Sequence, residues 1–379
     1  MTVNVFNDFD PLVEIIVGSA KNYLSHERDL SFDLFFHDSI YRSDWAYPRL
    51  AMKSNPDNSS KQNINKQYVE ELNEDVESFA AVLDSLGIVV KRPMPLPSDV
   101  QEVSGLTWRA CPTPALNIRD NTLVIGDDII ETPPAIRSRY LETRLLSGVF
   151  MEYFRLGAHW TTMPRPLLTD ASFDLSYVND PSTSLGGPTE PVELPSVSPL
   201  DVGFEMMIDG AQCLKLGRDI IVNVATENHH LGVQWLTNHL SPEYEIHTVY
   251  RMADNHIDSM LLALRPGVFL ARDESVRDFL PKKFRSWKFI VPPEPKAGDF
   301  PVYNNDDLVL TSPYIDINVL SIDQERVLVN QDCPGVMSAL EKAGFVVIPV
   351  QHRHRRLFGG GFHCFTLDMV RQSTLEDYF

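Results

Sequence analysis

The 379-residue sequence lacks any long uninterrupted apolar stretch, and this excludes the usual pattern of a membrane-spanning helix. Its first residues, MTVNVFNDFDPL, contain no basic segment followed by an apolar one, so we expect no secretory signal peptide. Cysteine is also scarce, and the four that occur show neither a CxxC pair nor a metal-ligand spacing: Cys111, Cys213, Cys333 and Cys364. We therefore expect a reduced, cytoplasmic protein without a membrane partner, a disulfide framework or a metal site.

Positive charge is in short supply as well. The chain has 33 lysines and arginines against 52 aspartates and glutamates, which gives a formal net charge of -19. Nucleic-acid-binding proteins concentrate basic residues on one face, whereas the short cluster RHRRL at 353–357 is the only one here. We therefore expect no nucleic-acid partner. An acidic protein suits a cationic small substrate, although acidity of this kind also serves solubility alone.

What the sequence does contain is a repeated pattern of apolar residues. From Val69 to Leu86 they recur at helical spacing, Gly87 ends the helix, and residues 88–90 are typical of a short strand. Similar segments lie at 152–164, 235–250, 279–293 and 339–350. Strand–turn–strand patterns precede the last four, at 122–132, 213–224, 260–271 and 319–330. The first unit offers only the β-rich run at 13–18 and is irregular.

The repeated unit is therefore a hairpin, a helix and a strand, about five times over. Units that cannot bury their helix faces alone are expected to close on one another into a ring. We predict an α/β fold, a five-fold pseudo-symmetric α/β propeller, forming a single catalytic domain over residues 1–379. A doubly wound sheet is the alternative. The polar stretches 53–66, 180–199 and 292–307 are expected to be long loops, acting as substrate lids or disordered.

Polar residues recur at equivalent places in these units. They stand before the second to fifth hairpins and after the last full unit: Asp120, Asp209, His256 with Asp258, Thr311 with Ser312, and Cys364. Equivalent points of a closed ring converge on its axis, so we expect these side chains to share one pocket. Singly, each has an ordinary explanation, since an Asp before a strand usually caps a turn and a lone His or Cys usually packs.

Two local arrangements bear on the chemistry. Side chains two apart on a strand share a face, so His256 and Asp258 are expected to point into the same space, where the Asp raises the basicity of the His. His363 and Cys364 are adjacent and would face opposite ways in an extended segment. We therefore predict that His363 is a supporting, hydrogen-bonded residue and not the base for Cys364. The glycines at 359–361 predict a permissive turn that lets Cys364 approach a flat substrate.

Segments spread over nearly the whole chain resemble the amidinotransferases, the family that includes arginine:glycine and inosamine-phosphate amidinotransferases. The most specific is GGGFHCFTLDMVR at 359–371. The others are FDPLVEIIVG (9–18), IIETPPAIRSRYLETR (129–144), GAHWTTMPRP (157–166), GRDIIVNVATENHHLGVQWLTNHLSPEY (217–244) and NHIDS (255–259). The resemblance implies a five-bladed α/β propeller, which agrees with the five units.

The resemblance also implies a chemistry that needs neither cofactor nor metal. Cys364 would attack the guanidinium carbon of L-arginine, ornithine would leave, and the amidino group would pass to an amine acceptor. His256 would be the acid and base, with Asp209 assisting it, while Asp120 and Asp258 would hold the guanidinium. Thiolate nucleophiles and charge-matched carboxylates suit a substrate that is always protonated. A homodimer is also expected from the resemblance.

The chain differs from the glycine-using members of the family just before His256, the expected proton partner of Cys364. Asn255 stands where they carry Met, and the loop before it is slightly shorter. We therefore predict a different or larger primary amine as acceptor, of the saxitoxin-pathway type. Thr311 and Ser312 match a pair of serines near the substrate, and Thr311 adds a methyl group.

Three alternatives stay open at this point. A deiminase of the same superfamily would use water in place of the amine, acting on arginine or agmatine. An inactive binding protein of the same fold would keep the pocket without the chemistry. A papain-like hydrolase would need its Cys early in the chain with the His downstream, whereas Cys364 comes late.

Overall fold

The structure is a computed structural model that describes residues 2–36, 61–176, 199–253, 255–296, 300–303 and 309–379. Its helices are α1 (Leu30–Phe35), α2 (Lys66–Ser85), α3 (Ser147–Arg155), α4 (Glu227–Leu240), α5 (Val276–Phe279) and α6 (Pro334–Lys342). Its strands are β1 (Leu12–Val17), β2 (Ser25–Glu27), β3 (Lys61–Asn63), β4 (Val89–Lys91), β5 (Val103–Ser104), β6 (Arg109–Ala110), β7 (Thr122–Ile125), β8 (Asp128–Glu131), β9 (His159–Thr162), β10 (Cys213–Leu216), β11 (Asp219–Val224), β12 (Glu245–Tyr250), β13 (Leu261–Arg265), β14 (Val268–Ala271), β15 (Lys288–Ile290), β16 (Leu320–Ser321), β17 (Arg326–Asn330), β18 (Val346–Val350) and β19 (Thr366–Arg371).

Within these ranges the strands form five three-stranded sheets and two short two-stranded ones. Four of the larger sheets share one pattern, in which an antiparallel hairpin is followed by a helix and a third strand parallel to the hairpin's second strand. They are β7–β8–β9, β10–β11–β12, β13–β14–β15 and β16–β17–β18. A parallel neighbour requires a crossover connection, and the helix supplies it. The α/β class and the hairpin–helix–strand unit predicted from the sequence are confirmed.

The first sheet is built from both ends of the chain. Strand β1 pairs in parallel with β4 and antiparallel with β19, in a register that sets Leu12 opposite Arg371 and Val17 opposite Thr366. The C-terminal strand thus takes the place of the missing hairpin strand in the first unit. The sequence showed that unit as irregular because its partner lies at the other end of the chain.

The helices end as their glycines predicted. Gly87, Gly157 and Gly344 follow α2, α3 and α6 with φ of +82°, +100° and +89°, values that favour glycine over residues with a Cβ. Helix α2 begins at Lys66, earlier than predicted, because the Asn65 side chain caps it by accepting from Gln67 N. Its buried face carries apolar side chains at spacings of three and four: Leu72, Val76, Phe79 and Leu83.

Two predictions about irregular segments need correction. The stretch 53–66 is not a loop throughout, since Lys61–Asn63 forms β3 against β2 and α2 starts at Lys66. The copy at 279–293 holds less helix than expected, because α5 is one turn long and a 3-10 turn, Lys282–Ser286, follows it. Residues 53–60, 180–198, 297–299 and 304–308 of the three expected loops lie outside the described residues.

Apolar clusters join each large sheet to the next. The residues that share a cluster across two sheets are Ile16 and Met369 with Val124 and Ile129, Leu123 and Ile130 with Ile220 and Val222, Leu214 and Ile221 with Leu261 and Phe269, Leu262 and Leu270 with Val327 and Val329, and Leu320 and Leu328 with Leu12 and Ile15. The last sheet in the chain therefore packs against the first.

All four cysteines are buried, and no disulfide joins them. Among the helices of the described ranges, none has the length together with the apolar character that crossing a bilayer demands.

Candidate active site

The polar residues singled out in the sequence lie where the first strand of each sheet begins. Seven of them line one cavity of about 230 Å³: Asp120, Asn255, His256, Asp258, Thr311, Ser312 and Cys364. The eighth, Asp209, lies behind His256 and contacts its ring. The structure therefore brings together all eight residues. They lie in the segments that precede β7, β10, β13, β16 and β19, one strand of each large sheet.

Cys364 is buried at the floor of this cavity with 2% of its surface exposed. Its Sγ lies 3.4 Å from Asp258 Oδ2, and its backbone N–H donates to Asn318 Oδ1 at 3.0 Å. Of the three glycines before it, Gly359 lines the cavity with a φ of +72°, as the expected permissive turn requires, whereas Gly360 and Gly361 are needed for close packing. A Cβ at Gly360 would lie 2.4 Å from Asn117 Oδ1, and one at Gly361 would lie 2.7 Å from the Asn318 carbonyl oxygen.

His363 does not face away from Cys364, because residues 362–365 form a turn and not an extended segment. Its Nδ1 lies 2.7 Å from Asp258 Oδ2, the oxygen that Cys364 Sγ also contacts. The expected extended geometry is therefore wrong. His363 is a buried residue hydrogen-bonded to Asp258, the environment that its supporting role requires.

His256 also lies in a turn rather than on a strand, and this corrects the shared-face argument. It precedes the 3-10 turn Ile257–Ser259, which Ser259 Oγ stabilises by donating to the His256 carbonyl at 2.9 Å. Short polar residues such as these compete with strand pairing by bonding the local backbone. The imidazole binds Asp209 instead of Asp258, with Nε2 2.8 Å from Asp209 Oδ2 and Nδ1 3.8 Å from Asp120 Oδ1.

The surroundings raise the pKa of both the imidazole and the thiol, so that both groups keep their protons. Burial opposes a charged imidazole, but the charge of Asp120 and the hydrogen bond to Asp209 outweigh it and raise the pKa of His256 to about 9. Burial, together with the charges of Asp258 and Asp120, raises the pKa of the Cys364 thiol well above its usual range. At neutral pH the free site therefore holds an imidazolium and a neutral thiol.

The carboxyl groups at the cavity differ in the direction in which their pKa is shifted. Burial would raise the pKa of Asp258, but the hydrogen bond and charge of His363 lower it to about 2. Burial raises the pKa of Asp120, and the neighbouring Asp209 adds to this, against the attraction of His256. Burial also raises the pKa of Glu142 to about 7 despite its contact with Arg139.

Three buried carboxylates have hydrogen-bonding capacity to spare, two that line the cavity and one, Asp209, behind His256. Asp120 Oδ1, Asp209 Oδ1 and Asp258 Oδ1 are buried without a hydrogen-bond partner. Buried polar atoms are nearly always paired, so such oxygens are strong candidates for contact with a ligand. A guanidinium presents five N–H donors in one plane and always carries a positive charge, so its chemistry matches these oxygens.

Charged residues that line the cavity or lie behind it hold these groups in place, and sequence reasoning missed them. Arg139 donates to Asp120 Oδ2 at 2.6 Å and forms two bonds to Glu142, at 2.5 and 2.9 Å. Arg119 donates to the His363 carbonyl at 2.9 Å and pairs with Asp8 and Asp368. The only available signal was that Arg139 and Glu142 fall within the segment 129–144 that resembles the amidinotransferases.

Helix α1 forms an aromatic side of the cavity through Phe32, Phe35 and the residue after the helix, Phe36. The Phe35 ring meets His256 edge-on with centroids 5.4 Å apart. Asn255, expected to bind substrate, lines the cavity but donates its side-chain N–H to the Phe35 carbonyl at 2.9 Å. This hydrogen bond therefore connects α1 to the turn that contains His256.

The two hydroxyl residues lie on another side of the cavity and also have backbone contacts. Thr311 Oγ1 lies 3.4 Å from the Arg356 carbonyl oxygen, and Ser312 Oγ accepts from Tyr314 N at 3.1 Å. The Ser312 bond caps the 3-10 helix Pro313–Ile317. Both hydroxyls thus shape the loop as well as facing the cavity.

Among the residues that the structure describes, two side-chain groups have the donor atoms for a metal ion. Ligand atoms of Asp120, His256 and Cys364 lie within 4.8 Å of one another, and so do those of Asp219, Glu245 and His247. The second group already has a cationic partner, since Lys283 Nζ lies 2.5 Å from Asp219 Oδ1. The first group coincides with the candidate catalytic residues.

Comparison with known proteins adds to this geometry. No protein-family model matches the chain. It is 31% identical over 388 residues to the mitochondrial glycine amidinotransferase of Xenopus tropicalis, covering 99% of this chain and 84% of that protein. It is 35% identical over 307 residues to the L-arginine:L-lysine amidinotransferase of Pseudomonas savastanoi pv. phaseolicola, covering 80% of each.

The fold of the chain is also similar to that of a solved amidinotransferase structure. SxtG, an amidinotransferase of the saxitoxin biosynthetic pathway from Microseira wollei, is 31% identical and has a TM-score of 0.78, covering 100% of this chain and 99% of SxtG. Similarity thus extends over practically the entire chain, including the elements that carry the thiol, the imidazole and the carboxylates. The chain belongs to the amidinotransferase family and is a transferase.

Proposed function

We propose that this protein transfers the amidino group of L-arginine to a primary amine and releases ornithine. The observation that carries the proposal is the set of three buried carboxylates with unpartnered oxygens around Cys364 and His256. Asp120 and Asp258 hold the guanidinium, and Asp209 holds His256. A guanidinium can pair with several such carboxylate oxygens at once through its coplanar N–H donors.

The first half of the reaction forms a covalent intermediate. Binding of the guanidinium neutralises the carboxylates that raise the thiol's pKa, so Cys364 loses its proton to water. The thiolate attacks the guanidinium carbon and forms a C–S bond. His256 gives its proton to the δ-nitrogen, the C–N bond breaks, and ornithine leaves. An amidino group remains on Cys364, and His256 is neutral.

The second half returns both residues to their starting states. A neutral primary amine attacks the amidino carbon, and its surplus proton passes to the neutral His256. The C–S bond then breaks, which releases the guanidino product and the Cys364 thiolate, and the thiolate takes a proton back from water once the product has left. One imidazole can serve as acid and then as base because it gives up a proton in the first half and accepts one in the second.

For the acceptor we propose a primary amine other than glycine, of the saxitoxin-pathway type. Support comes from α1, where Phe32, Phe35 and Phe36 give the cavity an aromatic side next to His256. Asn255 holds this side in place through the Phe35 carbonyl. An aromatic surface favours an apolar body over a small zwitterion. Thr311 and Ser312 are proposed to contact the polar end of a substrate.

The transfer reaction can be tested by incubating the protein with L-arginine, with and without a panel of primary amines. We expect ornithine to accumulate only with an acceptor, and larger amines to outperform glycine. Citrulline formed from arginine and water would identify a deiminase and contradict the proposal. Binding of arginine without ornithine or citrulline would identify an inactive binding protein.

We also propose that the five sheets close into a five-fold pseudo-symmetric α/β propeller that forms one domain over residues 1–379. The apolar clusters that join consecutive sheets, and the last sheet to the first, support it. A single closed core is expected to unfold in one cooperative calorimetric transition. Two resolved transitions would contradict the single domain.

A further inference from the structure

His363 is a buried histidine directly before the nucleophile, and the proposed mechanism assigns it no step. Its Nδ1 lies 2.7 Å from Asp258 Oδ2, and its Nε2 is buried without a hydrogen-bond partner among the described residues. Within that part of the chain, the contact with Asp258 is therefore the only hydrogen bond of the ring. Because the pKa of Asp258 is about 2, the carboxylate accepts this bond and Nδ1 donates it.

The backbone of His363 fixes where the ring lies. Arg119 Nε donates to the His363 carbonyl at 2.9 Å, and the His363 N–H donates to the Asn318 carbonyl at 3.4 Å. Cys364 follows in the same turn, and its Sγ contacts the same Asp258 oxygen at 3.4 Å. One turn therefore places both the thiol and the imidazole against one carboxylate.

Asp258 is a carboxylate that burial alone would protonate. Burial raises its pKa, and the hydrogen bond and charge of His363 are the main effects that lower it. In the described ranges, only the Cys364 thiol and His363 donate to its side chain, and the thiol loses its proton in the first half of the reaction. His363 is therefore the donor that remains. Other charged groups act on this pair without a hydrogen bond to it, namely His256, Arg119 and Asp120 on Asp258, and Asp8 on His363.

We propose that His363 is a positioning residue that acts through Asp258. Its Nδ1–H bonds Oδ2 and fixes the carboxylate, so that the unpartnered Oδ1 stays free for the guanidinium of the donor. The inference rests on the proposed function, in which Asp258 binds that guanidinium. The same hydrogen bond draws charge from Oδ2, the oxygen that repels a thiolate on Cys364. His363 does not line the cavity, so it acts without touching the substrate.

Calorimetric binding of L-arginine to Cys364→Ser protein, the parent for the variants below, measures this effect without turnover. We expect His363→Leu to weaken arginine binding about 10-fold to 100-fold at neutral pH, because a hydrogen bond to a charged group is lost. His363→Asn should stay within about fivefold of the parent, since its amide offers an N–H close to the position of Nδ1. No loss in the leucine variant, or equal losses in both variants, would overturn the proposal.

The pH dependence of binding separates a positioning role from a packing role. Without the His363 donor, burial raises the pKa of Asp258, so the carboxylate takes up a proton as the pH falls and attracts a guanidinium less. The ratio of the parent's affinity to that of the His363→Leu variant should therefore grow from about pH 8 to about pH 5. A constant ratio over that range would leave only a packing role and contradict the proposal.

His352→Leu is the matched control. His352 is also buried and bonds the same turn, with Nε2 3.0 Å from the Gly360 carbonyl oxygen, but it has no contact with Asp258 among the described residues. We expect its affinity ratio to the parent to stay constant with pH. Growth equal to that of the His363 variant would show a general effect on the turn and refute the proposed role.

A double-mutant cycle shows whether His363 acts through Asp258. Once Asp258→Asn has removed the carboxylate, adding His363→Leu should change the affinity for arginine by less than about threefold. Losses that simply add would mean that His363 acts by another route, and the proposal would fall.

These measurements also distinguish the positioning role from the proposed function. A His363-dependent affinity for arginine in Cys364→Ser protein would support the positioning role even if the wild-type protein released no ornithine, a result that would sink only the proposed function. Ornithine release whose dependence on arginine concentration is unchanged by His363→Leu would sink only the positioning role. Failure of the parent to bind arginine would overturn both.

Discussion

Replacing Cys364 by serine is expected to abolish amidino transfer, lowering kcat by about 10⁴-fold or more. A serine hydroxyl loses its proton far less readily than a thiol, and the carboxylates Asp258 and Asp120 oppose that loss further. Arginine binding should persist, since the guanidinium is held by the carboxylates. Ornithine release measures the first expectation, and calorimetric titration with arginine measures the second.

The covalent intermediate gives this prediction a direct readout. After incubation with arginine alone, mass spectrometry of the wild-type protein should show one amidino group on the peptide containing Cys364. Cys333→Ala is the matched control, because Cys333 is also buried but contacts Arg355 outside the catalytic cavity. The control should still form the adduct on Cys364. A Cys364→Ser protein that still turned over would refute the proposed nucleophile.

Replacing His256 by asparagine is expected to lower turnover about 10²-fold to 10⁴-fold, with arginine binding partly retained. The asparagine amide has roughly the size of the proton-bearing edge of the ring but cannot transfer a proton. His239→Asn is the matched control, since His239 also pairs with a carboxylate, Asp128 at 2.7 Å, outside the catalytic cavity. Ornithine release by the two variants measures the difference.

The pH dependence of ornithine release at saturating arginine tests the same role with a defined sign. The pKa of His256 is raised to about 9 in the free site, so the imidazole keeps its proton through neutral pH and loses it as the pH rises. Because Cys364 is already a thiolate in the arginine complex and the first half of the reaction needs the imidazolium, the rate of release should fall once the imidazolium loses its proton at alkaline pH. His256→Asn should lack that alkaline limb. A wild-type profile that rose steadily beyond pH 10 would contradict the assignment of His256 as the acid.

Much of the fold could be predicted because its signals are local. Gly87, Gly157 and Gly344 end helices through backbone angles that depend on the residue itself, and the hairpin turns lie between neighbouring strands. The repeat also indicated which polar residues lie together, since each stands at the same point of its unit. The pairing of β1 with β19 could not be predicted, because its two strands are separated by almost the entire chain.

The strand geometry assumed for two segments was wrong, although His256 and Asp258 do line the same cavity as expected. His256 and the segment around His363 both lie in turns, where adjacent or alternate residues do not follow the two-residue period of a strand. Asp258 therefore serves His363 and Cys364, while Asp209 serves His256.

The sequence by itself determined the repeated unit, the positions of its turns and the residues available for chemistry, because these depend on interactions between near neighbours in the chain. Only the tertiary structure decided the protonation states of those residues at neutral pH. Carboxylates from other parts of the chain raise the pKa of His256 against the effect of burial, whereas burial and carboxylates together raise the pKa of Cys364. Electrostatic interactions act across space rather than along the chain, so no local pattern can encode them.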